Sequence, residues 1–218
     1  MAALIEMAKV TKEYRGVPAI RDVDFELREG EIHAWVGERG AGKSTLTKII
    51  AGVTGPTRGT MRFAGRETVF PSAAEALAAG VNMVFQENSL VPSMSVAQNV
   101  FLGDEKVFNR IRGVYIAAQH LMGELNFSVD PWATVATLGA AKKQMVEIAC
   151  AVRKNARVIV FDEPTASLTP EEKLHFFALM KRLKSRGVSI IFHLARVGGG
   201  ARVRRLHHHS ARRRNRCV

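Results

Sequence analysis

The stretch Gly37-Glu38-Arg39-Gly40-Ala41-Gly42-Lys43-Ser44-Thr45 constrains this chain more than any other. It fits the pattern G-x-x-x-x-G-K-[ST]. Before it, Ile32-His33-Ala34-Trp35-Val36 reads as a buried strand. After it, Leu46, Ile49 and Ile50 recur at helical spacing. Strand, glycine-rich loop and helix in that order make a phosphate cradle. Glycines let the backbone close around a phosphate chain without a Cβ in the way. The loop N–H groups and the helix N-terminus then face the anion. Lys43 is placed to reach the β- and γ-phosphates of a nucleoside triphosphate, and the Ser44 hydroxyl to ligate Mg²⁺. The simpler alternative is a glycine-rich turn before an ordinary helix. Strand, loop, Lys-Ser pair and helix all agree on the phosphate site instead.

A second acidic feature belongs with the first. Arg157-Val158-Ile159-Val160-Phe161-Asp162-Glu163 is a β-branched run ending in two acids. Such a strand is expected in a parallel sheet, with its carboxyl end at a ligand crevice. Asp162 suits a Mg²⁺-coordinating carboxylate, and Glu163 suits a base for an attacking water. An Asp-Glu pair alone more often marks a solvated strand end. About 120 residues beyond a phosphate loop, and ahead of Pro164-Thr165-Ala166-Ser167-Leu168-Thr169, it gains meaning.

The remaining chain alternates strand and helix signals. Residues 3–10 and 18–27 read as antiparallel strands around a turn at Tyr14-Arg15-Gly16. Residues 60–63 and 81–85 read as short strands, and 72–79 as a short helix. Helices are expected near 95–102, 115–126 and 139–154. Thr169 caps a further helix that opens with Pro170 and runs to about Ser185. Residues 188–192 read as a last strand. No run approaches the roughly 18 apolar residues of a membrane span. The N-terminus lacks the pattern of a signal peptide. Two cysteines, Cys150 and Cys217, make no disulfide framework, which points to a reducing cytoplasm.

The net charge of +12 is local. Residues 194–218 carry eight arginines and no acid; removing those eight from 32 basic residues leaves 24 against 20 acids, a net of +4. The body is therefore only mildly basic, and no nucleic-acid partner is expected. The 194–218 segment, with three consecutive histidines and no apolar period, reads as a disordered basic tail or as the product of a shifted reading frame.

Taken together these motifs resemble the ATP-binding subunits of ABC transporters, most closely the N-terminal cassette of the sugar importers of ribose, galactose and xylose type. The similarity covers residues 4–192. GEIHAWVGERGAGKSTLTKIIAGV, FQENSLVPSMSVAQNVFLG, QMVEIACAV and VIVFDEPTASLTPEE carry it. The resemblance implies that Tyr14 stacks on adenine and that residues 37–45, Gly37, Glu38, Arg39, Gly40, Ala41, Gly42, Lys43, Ser44 and Thr45, hold the phosphates. It implies that Gln86 touches Mg²⁺ and the attacking water. Asp162 becomes the metal-binding acid, Glu163 the catalytic base, and Ser167-Leu168-Thr169 a loop across a dimer interface. His193 is either the remnant of the family's switch histidine, two residues early, or a coincidence.

Two features depart from the family. At its signature, near Leu-Ser-x-Gly-Gln, this chain has Leu138-Gly139-Ala140-Ala141-Lys142, with no serine hydroxyl and no glutamine. Arg39 stands where asparagine is usual. The expectation is an α/β fold: a P-loop core with a mostly parallel sheet, an N-terminal antiparallel β subdomain, and a helical subdomain over about 88–150. The nucleotide-binding domain would span 1–193. It would bind and hydrolyse ATP with Mg²⁺ to power sugar import. Its partners would be a second cassette, permease subunits and, indirectly, a sugar-binding protein, at the inner face of the plasma membrane. The alternatives are a truncated fragment that binds nucleotide but hydrolyses poorly, and a non-transport ABC ATPase. Loss of the elements beyond the switch would expose an edge of the sheet.

Overall fold

Two four-stranded sheets organise the chain in the computed structural model, which describes residues 3–37, 40–84, 90–103, 111–162, 164 and 169–195. The first is antiparallel, in the order β2(Val17–Arg28), β1(Ala3–Tyr14), β4(Arg58–Phe63), β5(Arg66–Glu67). The second is parallel, in the order β3(Ile32–Gly37), β8(Ser189–Ala195), β7(Val158–Phe161), β6(Val81–Val84). Helices α1(Lys43–Ile50), α2(Ala73–Ala78), α3(Val96–Val100), α4(Ile111–Leu125), α5(Ala140–Arg153) and α6(Pro170–Ser185) complete the described elements, with a 3₁₀ turn at Val135–Thr137.

Side-chain alternation on the parallel strands makes the layers. Val158 and Val160 of β7 join one buried cluster, with Leu46, Ile49 and Ile50 of α1 and the inner face of the antiparallel sheet. Ile159 and Phe161 join the other, with α3, α4, α5 and α6. All four β7 residues are buried, as a parallel strand covered on both faces requires. Ile191 of β8 belongs to the α1 side, and Ile190 and Phe192 to the opposite side.

The first hairpin explains an irregular sequence pattern. Ile20, Phe25 and Leu27 are buried and Val23 is half-buried, yet Ile20 and Val23 differ by three rather than two or four. The structure inserts an extra β2 residue between the pairs Val10↔Val23 and Lys12↔Ile20, with Asp22 in the left-handed region at φ 48°. A matching extra residue on β1 lies at Lys9, φ 50°. Each bulge costs a ladder position but keeps the apolar side chains on one face. Asp24 accepts from the Lys9 N–H at 2.8 Å, which satisfies the bulged backbone. The hairpin closes through Arg15 and Gly16, both with positive φ, a turn whose twist suits antiparallel strands.

Strand β8 runs to Ala195, where it pairs with Gly37. Leu194 and Ala195, assigned above to the tail, are thus part of the sheet; residues 196–218 lie outside the described residues. Strand β3 lies at the edge of its sheet, pairs with β8, and leaves Val36 48% exposed. Among the described residues no helix is long and apolar enough to cross a membrane.

Candidate functional site

The glycine-rich loop leaves the carboxyl end of β3 and enters α1 at Lys43. Gly42 is the residue before the helix, with φ 81°. A Cβ there would run into the Ile20 Cγ2 and come within 2.9 Å of the Ala19 carbonyl oxygen. Strand β2 therefore presses directly on the turn, and only glycine meets both the conformation and the space. Beyond the turn, the Thr45 and Leu46 N–H groups donate to the Gly42 carbonyl at 3.0 Å. The first turn of α1 carries no side-chain cap and no acid. Nothing acidic there competes with an anion for the leading N–H groups.

Lys43 is half-buried, and its Nζ donates to the Gly37 carbonyl at 2.8 Å. This bond ties the first residue of α1 back to the last residue of β3. Ser44 follows, exposed at the start of the helix. Gly40 and Ala41 are also exposed, and Thr45 is half-buried. Glu38 and Arg39 lie outside the described residues.

Tyr14 ends β1 at the hairpin tip, 46% exposed. Lys12 Nζ lies 5.3 Å from its ring centroid and donates to the Gly55 carbonyl at 2.7 Å. Lys12 pairs across the hairpin with Ile20, the residue that touches Gly42. The open ring is thus carried on the same hairpin that braces the loop, two residues farther out, about 6–7 Å along a strand.

Asp162 follows the last residue of β7, and its N–H donates to the Val84 carbonyl at 3.2 Å. By alternation its side chain shares the α1 face with Val158 and Val160. The pair Phe161↔Phe192 makes His193 its lateral neighbour. His193 Nε2 lies 2.7 Å from Asp162 Oδ1; its side chain is 1% exposed and that of Asp162 20%. A carboxylate oxygen can only accept here, so the contact places a proton on Nε2. Across the sheet, His193 is in register with Trp35 of β3.

Among the described residues no group of three or more His, Cys, Asp or Glu could hold a metal ion. Ser44 and Asp162 offer one hydroxyl and one carboxylate. That oxygen set fits Mg²⁺, which keeps several waters and takes further oxygens from substrate phosphates. Gln86 and Glu163 lie outside the described residues, as do Ser167 and Leu168. Pro164, just after Glu163, is buried, and its carbonyl accepts from Gln144 Nε2 of α5 at 3.2 Å. This tie from α5 to the acidic strand end has no sequence signal, because residues 144 and 164 meet only through the fold.

The residues at the altered signature open α5. Gly139 is the N-cap, extended at φ −68° and ψ 164°, with no side-chain hydrogen bond. Gly139, Ala140 and Lys142 are exposed.

Comparison with known proteins places these observations. The sequence profile of the ABC transporter family matches residues 20–166. The ribose import ATP-binding protein RbsA 1 of Rubrobacter xylanophilus is 46% identical over 195 residues, 88% of this chain and 39% of that protein. The xylose import ATP-binding protein XylG of Thermoanaerobacter pseudethanolicus is 42% identical over 194 residues, 87% of this chain and 38% of that protein. The chain thus spans about two fifths of the length of these relatives. Among solved structures, a nucleotide-free ATP-binding cassette from an ABC transporter superposes with a TM-score of 0.79 at 22% identity, covering 89% of this chain and 82% of that one. The cbiO1 protein of Clostridium perfringens, part of the ABC transporter complex cbiONQ, gives 0.79 at 22%, covering 90% and 80%.

Proposed function

This chain belongs to the ABC transporter family, and from that premise we propose that it binds ATP with Mg²⁺ and, closed against a second cassette, hydrolyses it to power import of a sugar. The observation that carries this reading is the shared sheet face. Helix α1 packs through Leu46, Ile49 and Ile50 on the face of β7 that carries Val158 and Val160, the face to which alternation assigns Asp162.

Each group has a task in that reading. Tyr14 offers its exposed ring to the adenine; base–aromatic stacking is worth about 1–3 kcal/mol. The loop N–H groups and the α1 N-terminus take the phosphates. Lys43 exchanges the Gly37 carbonyl for phosphate oxygens, which are stronger, charge-assisted acceptors. Ser44 and Asp162 would hold Mg²⁺, with Gln86 as a further contact. The ion, when bound, supplies charge neutralisation across the β- and γ-phosphates. Glu163 takes a proton from the attacking water. The sugar, ribose or xylose by the relatives' names, would be selected by a binding protein and permease. The chain would act at the cytoplasmic face of the membrane.

A fragment that holds nucleotide but turns it over slowly is the second reading. The exposed Gly139 N-cap favours it, since that residue offers no hydroxyl to a nucleotide across a dimer. Glu163→Gln separates the two. Mg²⁺-dependent ATP turnover lost in this variant, with ATP binding kept, is expected. Turnover equally absent from parent and variant, even with permease subunits added, sinks the transport reading and leaves the fragment.

A further inference from the structure

We propose that His193 is a positioning residue for Asp162, holding one carboxylate oxygen so that the other is presented to the cation. This rests on the reading of Asp162 as a Mg²⁺ ligand given above.

Three observations carry it. First, the register Phe161↔Phe192 puts residues 162 and 193 side by side, and parallel neighbours in register project from the same face. Second, the imidazole is 1% exposed, in register on its other side with Trp35, so its ring belongs to the sheet and not to the open crevice. A buried imidazole needs a hydrogen-bond partner to offset its desolvation, and Asp162 Oδ1 at 2.7 Å is one. Third, the Asp162 side chain is 20% exposed while one of its oxygens is engaged. The two carboxylate oxygens therefore have different work. Oδ1 accepts from Nε2–H, which fixes the rotation of the group, and Oδ2 is left for the ion.

The arrangement assigns His193 a role unlike that of a histidine that reaches the nucleotide. It acts through Asp162 and touches no phosphate. Outer-shell partners of metal ligands have measurable weight: their loss typically lowers metal affinity or activity by about 10–100-fold.

The test uses the full 218-residue chain and needs no turnover. Mn²⁺ replaces Mg²⁺ as an EPR probe, titrated in the presence of saturating ADP. ADP binding in EDTA is measured beside it by calorimetry. His193→Leu and His193→Met both remove the donor, so that one can stand if the other fails to fold. His193→Gln keeps an N–H donor at similar reach. The Leu and Met variants are expected to lose about tenfold or more in Mn²⁺ affinity while metal-free ADP affinity holds, and Gln is expected to recover most of the loss. Unchanged Mn²⁺ affinity in the Leu and Met variants overturns the proposal. A parallel fall in metal-free ADP affinity also overturns it, because that is what lost packing alone would give. A Gln variant as weak as Leu does the same. If the parent chain with ADP holds Mn²⁺ no more tightly than free ADP does, the assignment of Asp162 as a ligand has failed, and this proposal with it.

Discussion

Helices α1 and α5 begin alike and end up different. Each has a glycine before its first turn, no side-chain cap and no acid in that turn. At α1 the glycine stands at φ 81°, with β2 packed against the space a Cβ would need, and Lys43 is tied back to Gly37. At α5 the glycine is extended at φ −68°, no described residue comes within 4 Å of its missing Cβ, and Lys142 is exposed. The same local ingredients make a braced helix start in one place and a bare helix end in the other. What differs is the neighbouring strand, not the glycine or the lysine. Bracing of this kind matters to ligand binding in general, because a segment fixed beforehand has less ordering to do when ligand arrives.

The same substitution at both glycines breaks this comparison most sharply. Gly42→Ala meets a left-handed backbone and an overlap with β2, and should cost about 2–4 kcal/mol of stability. Gly139→Ala loses a modest N-cap preference but restricts the unfolded chain, and the two offset to within about 0.5 kcal/mol. Urea midpoints at constant slope measure both. Equal losses would mean that β2 does not brace the loop. The two lysines come next. Lys43→Ala removes charge-assisted bonds to phosphate worth about 1.5–3 kcal/mol, or roughly 10–100-fold in ATP affinity. Lys142→Ala should leave ATP binding to the isolated chain unchanged by calorimetry. A matching loss would place the α5 end at the nucleotide of its own chain.

Much of this contrast was legible in the sequence, though not its cause. The loop, the β-branched run into Asp162 and the helix opening at Pro170 are strong local signals, and they lie where the spacing put them. The sequence supports β1 only to residue 10, because Thr11-Lys12-Glu13-Tyr14 has no apolar alternation; its hairpin partner β2 carries it on to Tyr14. The bulges at Lys9 and Asp22 were hidden for a related reason. A broken alternation reads as noise until the register shows an inserted residue. The His193–Asp162 contact depends on the relative register of β7 and β8, two strands separated by α6, and no local pattern fixes that number. Likewise, the clasp of β2 on Gly42 joins a strand of one sheet to the turn that follows a strand of the other.

The smallest effect concerns the α5 end alone. Lys142 sits in the first turn of its helix, and Lys143 follows it. Positive charge there opposes the helix dipole, while a carboxylate would complement it. Lys142→Glu should therefore stabilise the chain by about 0.5–1 kcal/mol at low salt. Because the site is exposed, the gain should shrink as ionic strength rises from about 0.01 M to about 1 M, where the Debye length falls to roughly 3 Å. Thermal midpoints across that range read it out. A gain that persists at high salt would point to a new contact of the carboxylate rather than the dipole. No gain at low salt would mean that the N-terminus of α5 is already satisfied. The two helix starts would then differ less than their surroundings imply.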